Sequence, residues 1–123
     1  MNVEELRNMS LQLPGTTEDI KWETHLCFSV GNKMYLVTSP DSLPSPASFK
    51  VSADKFEEII SEEGFEKHAY LGRHYWIHLD DINSLPKKKW QESIEQSYAL
   101  VAAKLPKKTK KLLGFVESVE FVK

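Results

Sequence analysis

One run of eleven residues, Ala69 to Leu79, concentrates side chains that could bind a ligand: Tyr70, Arg73, His74, Tyr75, Trp76 and His78. A guanidinium carries a rigid fork of hydrogen-bond donors that fits phosphate or carboxylate oxygens. Aromatic residues beside basic ones are enriched at interfaces. The run therefore predicts a binding surface. The same residue types are also typical of a half-exposed strand that packs under a helix, and this interpretation stays open.

The run is expected to form a β-strand from His74 onward, because it is rich in aromatic and β-branched residues. Side chains on a strand alternate between its faces. The core face would then carry Tyr75, Ile77 and Leu79. The other face would carry His74, Trp76 and His78. Gly72 suits a turn before the strand, which places Arg73 at the start of the strand. The two histidines lie far apart along a strand and no further ligands can be assigned, so no metal site is predicted.

No motif for catalysis or cofactor binding is found. The sequence has no glycine-rich phosphate loop, no His-Glu-x-x-His, no Cys-x-x-Cys and no Gly-x-Ser-x-Gly. Cys27 lies in an apolar run and is predicted to be a buried structural thiol, since a reactive one needs an accessible, electropositive setting. Asp80 and Asp81 are predicted to cap a helix. We expect no catalytic residue, no cofactor and no enzyme, although a spatial triad is not visible in sequence.

Composition predicts one globular domain. The chain has 123 residues, of which 41% are hydrophobic and 28% charged. The acidic N-terminus lacks the apolar segment of a signal peptide, and no apolar run approaches the length of a membrane span. A single cysteine cannot form an internal disulfide and fits a reducing compartment. These features predict a cytoplasmic protein without a membrane partner.

Charge is distributed unevenly along the sequence. The net charge is −2 and the pI about 6.1, whereas nucleic-acid-binding domains tend to be basic. Residues 85–111 nevertheless contain two glutamates and eight lysines: Lys87, Lys88, Lys89, Lys104, Lys107, Lys108, Lys110 and Lys111. This segment could recruit polyanions through phosphate contacts. It could equally be the solvated surface of helices.

Hydrophobic periodicity predicts an α+β fold. Helices are expected at residues 3–13, from Ser52 onward, at 85–105 and at 107–113. Two alternating runs around Gly31-Asn32 predict a β-hairpin over His25–Val30 and Lys33–Thr38, followed by a strand at 49–51. Residues 16–19 are predicted to be a polar connection, 20–22 a short edge strand or a loop that lays Trp22 on the sheet, 39–48 a loop, and 115–122 a strand or a tail. The order favours an antiparallel sheet with helices packed on one face.

Four stretches of the sequence resemble the MmcQ/YjbR family of small bacterial proteins. They are LPGTTED at 13–19, FSVGNKMY at 28–35, YLGR at 70–73 leading to Trp76, and SYALV with KLPKK over 97–108. They lie in order and extend over residues 1–113, which we take as a single domain, with 114–123 outside the likeness. The resemblance implies a CyaY-like α/β sandwich, commonly described as DNA-binding, with no established catalytic residues and no cofactor.

Two functions follow as hypotheses. In the first, Lys33, Lys50 and Arg73 contact nucleic-acid phosphates, Trp22 or Trp76 stacks on a base, and further non-specific contacts come from Lys107, Lys108, Lys110 and Lys111. In the second, no nucleic acid is bound. The face of Trp76, with Arg73, His74 and His78, then forms a shallow cleft for a small anionic ligand or a protein partner.

Overall fold

The computed structural model describes residues 1–114, and its centre is a six-stranded antiparallel sheet. The strands are β1 (Thr16–Lys21), β2 (His25–Val30), β3 (Lys33–Thr38), β4 (Ala47–Lys50), β5 (Phe65–Lys67) and β6 (Trp76–Leu79). Their spatial order is β1-β2-β3-β4-β6-β5. The edges of the sheet are therefore β1 and β5.

Helices cover one face of this sheet. They are α1 (Val3–Leu11), α2 (Ala53–Ile60), α3 (Lys87–Ala103) and α4 (Lys107–Leu112). The core between the layers contains Phe28, Leu36 and Ile77 from the strands, with Trp90 and Ile94 from α3. This arrangement confirms the predicted α+β class, with an antiparallel sheet and helices on one face.

The predicted β2–β3 hairpin is confirmed. Its strands pair antiparallel around Gly31-Asn32, and a bulge near Phe28 leaves Tyr35 without a partner in the register. The Tyr35 hydroxyl lies 3.2 Å from the Ser10 carbonyl oxygen, to which it donates, and 2.9 Å from Thr16 Oγ1. The bulge thus directs the Tyr35 hydroxyl towards two hydrogen-bond partners.

The segment after α1 differs from the prediction. Residues 16–19 are not a polar connection, because β1 runs from Thr16 and pairs along its whole length with β2. Polar residues suit this edge strand, since a hydrogen-bonded ladder does not require apolar side chains. Glu18 on β1 accepts two 2.8 Å hydrogen bonds from Arg7 of α1, which ties the helix to the edge.

The central run also begins its strand later than predicted. Gly72–His74 forms a 3-10 turn, Tyr75 adopts φ +66°, and β6 starts at Trp76. His74 and Tyr75 donate backbone bonds to Leu71 and Gly72, so they cannot extend the strand. The prediction that His74 shares a strand face with Trp76 and His78 is therefore wrong, because His74 precedes the strand. The prediction that Tyr75 lies in the core is also wrong, since its side chain is exposed. Ile77 and Leu79 are buried as predicted.

The long helix is shorter than the predicted 85–105. Pro86 is the N-cap of α3 and not part of its first turn. Buried residues along α3 include Trp90, Ile94 and Tyr98, as predicted. The basic helix after Pro106 is α4, and the prediction for 115–122 lies outside the described residues.

Candidate functional site

The sheet brings cationic residues from separate segments to one end. Lys33 follows the tip of the β2–β3 hairpin, and Lys50 ends β4 at the same end, because β3 and β4 are antiparallel with Leu36 opposite Phe49. Lys50 pairs with Trp76, so the turn that carries Arg73 lies beside it. The C-terminal part of α3 lies here as well. Ser97, in that part of the helix, accepts a hydrogen bond at Oγ from the Lys50 amide and donates one to Tyr35 O.

α4 is held against the hairpin tip. A Cβ added to Gly31 would lie 2.8 Å from Leu105 Cδ1 and 3.0 Å from Thr109 Cγ2. The residues before and within α4 therefore pack directly on the tip. We call this region the basic end; its cations are Lys33, Lys50, Arg73, Lys104, Lys107, Lys108, Lys110 and Lys111.

Two lysines of the basic end, Lys50 and Lys110, are held by contacts with neighbouring groups. Lys50 Nζ donates a 2.6 Å hydrogen bond to His74 O and lies 5.9 Å from the centre of the Tyr75 ring. Burial lowers the pKa of Lys50, and the positive charge of Lys104 lowers it further. Lys110 Nζ donates to Ala103 O, whereas Lys108 and Lys111 are exposed.

The lysines of residues 85–111 do not share one surface. Lys87 at the start of α3 lies 3.7 Å from Glu5, and Lys89 lies 3.7 Å from Glu92. The N-terminal amine also donates to Asn83 Oδ1 at this far end. The helix thus separates one lysine group, which is interspersed with acids, from the group at the basic end.

Acidic residues are concentrated at the end opposite the basic one. The β1–β2 turn, the β3–β4 loop, the segment before β5 and the segment after β6 hold six of them: Glu23, Asp41, Glu62, Glu63, Asp80 and Asp81. Glu4 and Glu5, in the first turn of α1, lie at the same end, where Glu5 contacts Lys87. Asp54, in the first turn of α2, lies towards the basic end. Positive charge therefore predominates at the basic end, while the opposite end mixes these acids with Lys21, Lys87, Lys88 and Lys89.

A cleft of about 710 Å³ lies on the sheet face that the helices leave uncovered. Met34, Val37 and Trp76 form its apolar floor. Its walls come from the β1–β2 turn, with Trp22, and from the segment after β5, with Tyr70. We call it the open-face cleft. His74 and Arg73 are not among the described residues that line it, so the predicted grouping of these two with Trp76 is not formed.

His68 lines the cleft, and backbone hydrogen bonds favour its neutral form. Its Nδ1 accepts backbone hydrogen bonds from Tyr70 and Leu71, at 3.1 and 3.0 Å. An accepting Nδ1 places the proton on Nε2 in the neutral ring. Burial lowers the pKa of His68, and nearby His78 lowers it further. Nε2–H has no acceptor within residues 1–114.

His78 is held between Ser48 and Asp80. Its Nδ1 is 3.0 Å from Ser48 Oγ, and its Nε2 is 3.1 Å from Asp80 Oδ1. The Asp80 carboxylate accepts from Nε2–H, and the direction of the hydrogen bond between Nδ1 and the Ser48 hydroxyl depends on whether Nδ1 carries a proton. The order is that of a hydrolase triad with the two ring nitrogens exchanged. Ser48 is buried and does not line the cleft, and the arrangement fixes the orientation of the His78 ring.

Several residues with chemical potential have structural surroundings. Cys27 is fully buried, and burial raises the pKa of its thiol. Asp81 caps the turn at Ile82–Ser84 through the Asn83 amide. Trp22 packs edge-on against His25 at the end of the sheet opposite the basic end.

The part of the chain that the structure describes contains neither a metal-binding cluster nor a membrane-spanning helix. No group of three or more histidine, cysteine or acidic residues there is arranged to hold a metal ion. Among residues 1–114, no helix has both the length and the hydropathy needed to cross a bilayer.

Comparison with known proteins identifies the family. The YjbR family model matches residues 11–100. The chain belongs to the YjbR family. A crystal structure of Deinococcus radiodurans protein DR2400, with a DUF419 domain, is similar to this YjbR-family chain. It is 26% identical, with a TM-score of 0.83 over 98% of this chain and 93% of that one.

A more distant structure shows the same fold. The crystal structure of a Pseudomonas syringae protein is 19% identical to this YjbR-family chain. It aligns with a TM-score of 0.68 over 82% of this chain and 99% of that one. The comparison with curated proteins gives no match.

Proposed function

We propose that this YjbR-family domain is a non-enzymatic module that binds nucleic acid through phosphate contacts at its basic end. The observation that carries the proposal is the convergence of cations from the hairpin tip, β4, the turn before β6, the end of α3 and α4. Clustered cations on one surface release counterions from a polyanion when they bind it. Acids at the far end explain why the pI does not resemble that of a typical binding domain.

The contacts available predict binding with little sequence preference. Lysine and arginine at the basic end suit phosphate oxygens, which carry no base identity. Trp22 lies at the far end, and Trp76 is only 6% exposed in the floor of the cleft. A base stacked on Trp22 would therefore lie away from the phosphates at the basic end, whereas Trp76 lies beside Lys50 but leaves little of its ring open for stacking.

Fluorescence anisotropy with a labelled random duplex and a labelled single strand tests the proposal. The variant Lys108→Glu/Lys111→Glu should bind weakly, and its slope of log affinity against log salt should be shallower by about 1 per lysine. Lys50 is left intact because its ammonium hydrogen-bonds His74.

The matched control is Lys88→Glu/Lys89→Glu, which makes the same charge change at the other end of the molecule. It should retain wild-type affinity and salt dependence. Equal losses in both variants would show that net charge, and not the basic end, governs binding. Absence of salt-sensitive binding by the wild type at low salt would refute a nucleic-acid function.

A further inference from the structure

We propose that the open-face cleft binds an uncharged, flat, fused-ring heteroaromatic compound that accepts a hydrogen bond from His68 Nε2–H. This site adjoins the basic end at Trp76, which pairs with Lys50, and binding there goes beyond the proposed phosphate contacts. The argument rests on the shape of the cleft, the exposure of its aromatic walls, its charge and its unpaired donor.

The cleft has the size and floor of a small-molecule site. Its volume of about 710 Å³ falls in the range of pockets that enclose most of a small ligand. Met34, Val37 and Trp76 give it an apolar floor. An uncovered sheet face with such a floor favours a ligand with extended apolar surface.

Two exposed aromatic rings favour a flat ligand. Trp22 is 66% exposed and Tyr70 is 85% exposed, yet both line the same cleft. They come from opposite edges of the sheet, because Trp22 follows β1 and Tyr70 follows β5. Aromatic rings stack on planar rings with a gain beyond burial alone. Each wall therefore offers an exposed ring on which a fused-ring ligand can stack.

The charge of the cleft favours an uncharged ligand. Its charged side chains are Glu66 and Lys67, which have opposite signs and are both exposed. The neutral form of His68 is favoured by the two amides that donate to Nδ1, and both ring nitrogens of His78 are occupied by Ser48 and Asp80. His25 also lines the cleft, with its Nδ1 3.1 Å from Thr24 Oγ1, so the acid and the lysine of the lining balance each other and its other titratable side chains are histidines.

His68 supplies the polar specificity. Its Nε2–H is a donor in a largely apolar surface and has no acceptor among the described residues. A carbonyl oxygen or a ring nitrogen of the ligand would satisfy it. A carbocycle of the same shape would leave this donor unpaired, and unpaired polar groups lower affinity.

Protein NMR with 2-quinolone and naphthalene tests the proposal, because the two rings match in shape and only the first has an acceptor. We expect 2-quinolone to perturb Trp22, Tyr70 and Trp76 and to bind about three- to tenfold more tightly than naphthalene. In His68→Asp, which keeps an acceptor for the two amides and removes the donor, the difference should disappear.

Two truncations and a control locate the site. Trp22→Ala and Tyr70→Ala should each weaken both ligands several-fold, whereas Leu43→Ala, which removes a 93% exposed side chain elsewhere, should have no effect. The proposal is overturned if no cleft residue responds to either ligand, if both ligands bind equally to the wild type, or if Leu43→Ala weakens binding as much as the wall variants.

Discussion

His68 acts as the side chain of an aspartate or asparagine does in a turn. Its Nδ1 accepts from the amides two and three positions later in the chain, which closes the segment after β5. Protonation of Nδ1 would remove this acceptor and place a charge next to His78. The geometry therefore couples the protonation of one side chain to the shape of a cleft wall.

This coupling predicts a pH-dependent stability. The pKa of His68 is lower in the folded protein than its usual value of 6.5. The unfolded chain then binds more protons, so the stabilisation is complete above that usual value and is lost as pH falls below it. Urea midpoints of wild type should decrease on acidification more than those of His68→Asn, in which the amide oxygen can replace Nδ1. His74→Asn, at an exposed histidine, should follow the wild-type profile.

Cys27 should be protected from thiol reagents. It is fully buried, desolvation raises its pKa, and the nearby Asp19 carboxylate raises it further. Since the thiolate is the reactive species, both effects slow modification. We expect DTNB to modify folded wild type far more slowly than urea-unfolded protein, and to modify an exposed Asn32→Cys thiol at once. Rapid labelling of Cys27 in the folded state would contradict the burial described.

At the scale of elements, α4 depends on the hairpin tip. Gly31 has φ +57°, and its missing Cβ leaves room for Leu105 and Thr109. A side chain at this position would strain the backbone and would also displace α4 from the hairpin tip. The position of Lys108 and Lys111 therefore depends on a glycine in a different element.

Gly31→Ala should lower the free energy of unfolding by about 2–4 kcal/mol, from backbone strain and overpacking together. Gly64→Ala is the matched control, because Gly64 also has a left-handed φ of +92° but an added Cβ would meet Leu79 only at 3.9 Å. The control should lose about 1–2 kcal/mol. Chemical denaturation measures both, and equal losses would show that the contact with α4 is unimportant.

Element prediction succeeded where local pattern and tertiary pairing agree. The β2–β3 hairpin has alternating runs and a Gly-Asn turn, and both signals are local. β1 was partly missed because Thr16 to Asp19 are polar, and only pairing with β2 makes them a strand. β6 starts late because Tyr75 is in the left-handed region, which is uncommon for a bulky residue.

At the scale of the whole molecule, the two ends of the sheet differ in charge and should differ in their distance from bound nucleic acid. Spin labels on Asn32→Cys at the hairpin tip and on Ser84→Cys at the far end can report this, because buried Cys27 should remain unlabelled. We expect strong paramagnetic broadening of DNA resonances from the first label and little from the second. Similar broadening from both would place the DNA elsewhere or in many orientations.

The candidate site was only partly visible in sequence. The cationic residues were found, but their convergence depends on strand register, and the separation of Lys87, Lys88 and Lys89 from α4 depends on the course of α3. The cleft was predicted only in part: Trp76 and His78 line it as expected, but Trp22 and Tyr70 are distant in the chain and come from opposite edges of the sheet. His68 had no sequence signal, since its function comes from two backbone amides.

The cations of the basic end and the acids of the far end also make the two ends of residues 1–114 electrostatically different. A polyanion would attract the basic end and repel the acids of the far end, so the protein would rotate to present its basic end before contact. The net charge of −2 opposes approach over longer distances, and salt screens both effects over about 8–10 Å near physiological strength. The distribution of charged loops between the two ends of the sheet therefore affects the rate of association with a polyanion as well as the affinity.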